Sequence, residues 1–136
     1  MKLSISSALL DRLQTQARHG APLEICGLLF GENNTVTDSQ QARNVAQKAH
    51  CHFEIDPAIL ISAERSARDG GHPILGYYHS HPSGAVSPSE TDAEKAAADD
   101  RIWLILNGSE AGAWRAAKDG EIFGRFDPIS LECNNA

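Results

Sequence analysis

Five large apolar residues in succession, Ile102-Trp103-Leu104-Ile105-Leu106, set the strongest constraint on how this chain folds. The run is too short for an ordinary helix and rich in branched and aromatic side chains, so it reads as a buried strand. Gly108 and Asp119-Gly120 mark turns after it, and residues 111–117 and 121–126 read as two further antiparallel strands. Upstream, Glu24-Ile25-Cys26-Gly27-Leu28-Leu29-Phe30 reads as a second buried strand, with a weaker partner over 35–45 across the turn Gly31-Glu32-Asn33-Asn34. Phe53-Glu54-Ile55-Asp56 alternates like a strand edge, and residues 73–79 form a strand that runs into a polar loop over 80–88.

Three helices complete the pattern. The first starts at Ser6 or Ser7, carries Leu9, Leu10, Leu13 and Ala17 at helical spacing, and stops at His19-Gly20 before Pro22. The second covers 58–68, with Asp56 as its cap and Pro57 in its first turn. The third runs from about Ser89 to Ala98. Helices mixed with a mainly antiparallel sheet give an expected α+β class, three-layer αβα-like, with helices flanking the sheet. The length of 136 residues suits one domain over 1–130, and Glu132, Asn134 and Asn135 suggest a flexible tail over 131–136.

Charge and cysteine content narrow the function classes. A formal charge of −6 argues against nucleic acid and anionic membranes as partners. No apolar stretch approaches the length of a membrane span. The N-terminal residues alternate apolar and polar instead of forming the continuous apolar region of a secretory signal. Cys26, Cys51 and Cys133 are odd in number and widely spaced, which fits a reducing compartment and not a disulfide framework. The expected location is the cytoplasm.

The chemistry lies in His79-Ser80-His81, a seven-residue gap, then Ser89-Glu90-Thr91-Asp92. On an extended strand end, residues two apart point the same way, so His79 and His81 can converge. At a helix start, residues three apart share a face, which puts Asp92 within reach once the loop turns back. Two imidazoles and a carboxylate suit Zn²⁺ and leave a fourth position open for water. On spacing alone, ordinary loop polarity competes with this reading, and His50-Cys51-His52 repeats the His-x-His pattern with no partner at fixed spacing. Glu24 alone reads as an ordinary charged residue at a strand start. Ser89 is also a good helix cap, and Ser87 with Glu90 offers a second capping pair. Ser80 lies between the histidines and reads as a substrate-groove residue, as a support for a ligand backbone, or as plain surface. Cys26 reads as a small core residue.

The His-Ser-His-Pro segment, its spacing to Ser-x-x-Asp, and the upstream strand from Pro22 to Gly31 together resemble the JAMM (MPN-plus, Mov34) metalloprotease family, in its compact stand-alone prokaryotic form. The similarity spans roughly residues 3–127. It implies zinc as cofactor, with His79, His81 and Asp92 as ligands. It implies Glu24 as the general acid/base acting on the zinc-bound water, and Ser89 as a donor to the developing oxyanion. It also implies a zinc metallopeptidase that hydrolyses a peptide or isopeptide bond. The expected partner is the C-terminal Gly-Gly tail of a ubiquitin-like or sulfur-carrier protein. The alternatives are a non-catalytic scaffold of the same fold, which ordinarily lacks part of the ligand set, or a metallohydrolase of small or cell-wall peptides.

Overall fold

The computed structural model describes residues 1–135. Helix α1 is Ser7–Gly20, capped by Ser6, whose Oγ accepts from the Leu9 N–H at 3.1 Å. Helix α2 is Pro57–Arg68, capped by Asp56 through the Ala58 N–H at 3.0 Å. Both match the starts expected from their capping residues. Helix α3, Glu90–Lys95, is shorter than the expected segment to Ala98. Ala96 leaves it in an extended conformation and buries its methyl against the core, so tertiary packing ends a helix that alanine propensity would have continued.

The strands are β1 (Lys2–Ser6), β2 (Cys26–Glu32), β3 (Thr35–Ala42), β4 (Ile74–Ser80), β5 (Ile102–Leu106), β6 (Ala111–Gly120) and β7 (Gly124–Asn134). They close into a barrel in the order β1-β3-β2-β4-β5-β6-β7. This corrects the expected three-layer αβα arrangement around a mainly antiparallel sheet. The barrel is mixed: β1 runs parallel to both β3 and β7, and β4 runs parallel to β5. Closure depends on β1, where Lys2 aligns with Ser130 and Ser6 with Asn134. Contacts of that sequence separation leave no local pattern. The β4–β5 pair is parallel because the loop after Ser80 and helix α3 act as a crossover that brings the chain back in the same direction.

The expected flexible tail is also corrected. Residues 131–134 finish β7, with Leu131 opposite Leu3 and Cys133 opposite Ile5. Lys2 Nζ reaches Glu132 Oε2 at 2.8 Å. Backbone pairing to β1 orders this segment, so its polar composition was no guide. Ala136, the last residue of that tail, lies outside the described residues.

Strand β5 shows how the core divides. Ile102, Leu104 and Leu106 pack with Leu9, Leu13 and Ala17 of α1. Trp103, on the other face, packs with Phe53, Ala63, Ala96 and Phe126. Cys26 belongs to this second cluster, fully buried, and burial pushes its thiol up to about 12. Cys51 and Cys133 are exposed. Alkylation of the native protein should therefore modify Cys51 and Cys133 and spare Cys26, which reacts only after denaturation. Peptide mapping of the labelled protein checks this.

Candidate active site

The antiparallel register of β2 and β4 assembles half of the site. Cys26 pairs with His79. One residue further out, the Ser80 N–H donates to Ile25 O at 3.0 Å, and Ser80 Oγ accepts from the Ile25 N–H at 2.9 Å. Continued by one more residue, this register sets Glu24 across from His81. Ser80 itself is fully buried. It ties the two strands together beneath the site and has no surface to offer a substrate, which corrects its reading as a groove residue.

Along β4, Tyr78 and His79 face opposite sides. Tyr78 turns to the α1 side, where its hydroxyl donates to Gln16 Oε1 at 2.7 Å. His79 turns to the other, completely buried, stacked on Phe53 at 4.2 Å between ring centroids and edge-on to Trp103 at 5.6 Å. His79 Nδ1 has no hydrogen-bond partner among the described residues, so ring packing holds this imidazole. His81 is held differently: its Nδ1 lies 2.9 Å from Ala85 O. A carbonyl can only accept, so Nδ1 carries the proton and the Nε2 of the neutral ring presents a lone pair.

Helix α3 brings the carboxylate. Ser89 Oγ accepts from the Asp92 N–H at 3.1 Å, and the Ser89 N–H donates to Asp92 Oδ2 at 2.9 Å. This reciprocal cap fixes both the helix start and the carboxylate. Ser89 and Asp92 form it, not Ser87 and Glu90. The cap leaves the Ser89 hydroxyl proton uncommitted, and the residue is exposed.

Three atoms meet. His79 Nε2 and His81 Nε2 are 3.1 Å apart, and Asp92 Oδ2 is 3.3 and 3.2 Å from them. A tetrahedral zinc with ligand bonds of about 2.0–2.1 Å has donor–donor edges of about 3.3 Å. The triangle therefore has the size of one face of such a site, and the donor types fit the ion. Glu24 also approaches, with a carboxylate oxygen and both imidazole nitrogens within 4.8 Å of one another. Two carboxylates, Asp92 and Glu24, thus stand beside the same pair of imidazoles.

Electrostatics separate the two carboxylates. Burial raises the Glu24 pKa to about 7, against a lowering by His81. Burial acts on Asp92 in the same sense, but the two imidazoles against its Oδ2 and the hydrogen bond from the Ser89 N–H outweigh it and hold the carboxyl well below its usual range. Burial lowers His79 and keeps it neutral. Burial opposes protonation of His81 too, yet Asp92 and the Ala85 carbonyl carry its pKa upwards. The two acids flanking the same imidazoles are thus shifted in opposite directions.

Residues that no sequence signal singled out support the site. The Asn44 amide nitrogen donates to Glu24 O at 2.9 Å and His52 O at 3.0 Å, while its oxygen accepts from the Ala46 and Glu54 N–H groups. The Glu24 N–H donates to Ala49 O at 2.8 Å. The backbone of Glu24 is thus held on both sides by one loop. Lys95, one turn after Asp92, donates to Phe53 O at 3.2 Å and brings a positive charge that lowers Glu24 and His79. The His50-Cys51-His52 segment takes part in this loop through backbone atoms, with the His52 carbonyl as the acceptor from Asn44.

A barrel carrying two histidines and two carboxylates of opposite pKa shift offers a donor set that could hold a metal ion. A family model described as prokaryotic homologs of the JAB domain matches residues 6–118, and the chain belongs to that family. It is 34% identical over 112 residues to the desampylase of Haloferax volcanii, covering 78% of this chain and 81% of that protein. It is 24% identical to the CysO-cysteine peptidase of Mycobacterium tuberculosis, covering 77% and 73%. A solution structure from Desulfitobacterium hafniense superposes with a TM-score of 0.81 at 24% identity, over 98% of this chain and 94% of that one, a likeness of fold. These relatives make the chain an enzyme of the JAMM peptidase type. No helix among the described residues is long and apolar enough to cross a membrane.

Proposed function

We propose that this protein is a zinc-dependent peptidase that cleaves directly after the C-terminal Gly-Gly of a ubiquitin-like or sulfur-carrier protein, in the cytoplasm. The observation that carries the reading is the tetrahedral-sized triangle of His79 Nε2, His81 Nε2 and Asp92 Oδ2 with the raised Glu24 carboxyl beside it. His79, His81 and Asp92 would hold the ion. Zinc bound there supplies Lewis acidity and lowers the pKa of water towards about 7. Glu24 accepts the proton of the attacking water and passes it to the leaving amine, a task suited to a group that titrates near neutrality. The Ser89 hydroxyl, whose proton the helix cap leaves free, donates to the oxygen of the carbonyl under attack. The names of the desampylase and the CysO-cysteine peptidase support a modified small-protein tail as the substrate class.

Ser89→Ala should lower kcat by about 10²- to 10³-fold, the loss seen for one oxyanion donor. It should also cost about 1 kcal/mol of stability through the lost cap. Stability loss with unchanged kcat would confine Ser89 to the capping role. The reading as a whole is tested with a ubiquitin-like protein carrying a short extension after Gly-Gly, incubated with and without chelator and read by product mass. Chelator-sensitive release directly after the glycines supports it. Zinc uptake without cleavage sends the search to other peptides.

A further inference from the structure

Only Pro88 is buried in the loop between the proposed ligands, residues 81–89, yet one of the loop's carbonyls fixes His81. Three contacts from the neighbouring strands hold this loop. The His81 N–H donates to Leu106 O at 2.8 Å at the end of β5. Asn107 Nδ2 donates to Gly84 O at 3.3 Å. The indole Nε1 of Trp114, on β6, donates to Val86 O at 3.0 Å. Val86 follows Ala85, whose carbonyl receives the His81 Nδ1–H.

Gly112 makes that approach feasible. It precedes Trp114 by two residues and so lies on the same face of β6. A Cβ there would sit 2.5 Å from Val86 O and 3.1 Å from the Trp114 indole nitrogen. The bare backbone leaves room for the loop to press against the strand while the indole reaches over to it. Trp114 also pairs in register with Trp103, the residue edge-on to His79. Adjacent tryptophans on β5 and β6 thus serve the two histidines, Trp103 by direct packing and Trp114 through the loop.

We propose that Trp114 is a positioning residue for His81: its indole N–H holds Val86 O, which keeps Ala85 O against His81 Nδ1 and aims Nε2 at the other two donors. The proposal rests on the ligand assignment above, and it has a readout that needs no metal. In the metal-free protein at alkaline pH, where the His81 ring is neutral, long-range ¹H–¹⁵N spectra should show it as a single Nδ1–H tautomer. In Trp114→Phe, which keeps a ring and loses the donor, His81 should show mixed tautomers, while His79 keeps its wild-type signals. Zinc should bind that variant about tenfold more weakly, the lower end of what losing an outer-sphere partner costs. Gly112→Ala, which displaces the same carbonyl by contact, should reproduce both changes. A wild-type His81 signal and wild-type zinc affinity in both variants would overturn the proposal, and a fall in Tm alone would leave Trp114 a packing residue. Failure of the wild-type protein to bind zinc would instead strike the ligand assignment, and the tautomer comparison would still decide the role of Trp114.

Discussion

Glu24→Gln keeps zinc and lowers kcat/KM by about 10²- to 10⁴-fold, the range associated with one general acid–base group. The substitution preserves the shape of a side chain that is 7% exposed, and the backbone ties to Asn44 and Ala49 do not involve the carboxyl. It removes the proton acceptor and nothing else. A second consequence follows from the same burial. The folded-state pKa of Glu24 is raised to about 7, above the value near 4.3 of an unfolded chain. Between those values the folded protein holds a proton that the unfolded chain releases, so stability from this group is present below about pH 4 and lost as pH rises through 7. The metal-free Glu24→Gln variant should therefore have a higher Tm than wild type at pH 8, with the difference closing towards pH 4. Activity retained in the variant would remove Glu24 from the mechanism. Equal Tm at pH 8 would show that burial does not penalise the charged form.

Asp92→Asn abolishes stoichiometric zinc binding and turnover while leaving the fold of α3 in place. Asp92 Oδ2 meets both imidazoles and also accepts the Ser89 N–H, so the proposed ligand is also half of a helix cap. An amide oxygen can still accept from Ser89 but lacks the charge that the ion needs. Asp92→Ala removes both functions and should cost an additional 0.5–2 kcal/mol or so through the lost cap. His79→Ala loses zinc as well, and its place between Phe53 and Trp103 leaves a cavity in the second core cluster. Full zinc occupancy in Asp92→Asn, measured by elemental analysis after gel filtration, would reassign the third ligand, with Glu24 the natural substitute.

The sequence and the structure agree most closely where a local rule governs. Ser6, Asp56 and Ser89 cap the three helices because a short polar side chain can satisfy a nearby N–H whatever the rest of the chain does. The run from Ile102 to Leu106 is the buried strand that its composition demands. The spacing of His79, His81, Ser89 and Asp92 was legible because strand and helix periodicities dictate which residues share a side. Ser80 failed that test, since its place between the histidines hid a buried tie to Ile25.

The sequence by itself marked the candidate donor set, the helix starts and the segments of β2, β4 and β5, because each depends on neighbours a few residues apart. Only the tertiary structure decided that β1 closes a mixed barrel against β7, that the C-terminal residues are strand, and that Asn44 and Trp114 serve the site. Those outcomes rest on hydrogen bonds between backbone and side-chain groups far apart in the chain. Any residue of similar polarity would write the same pattern into the sequence, and only the closed barrel selects the pairs that meet.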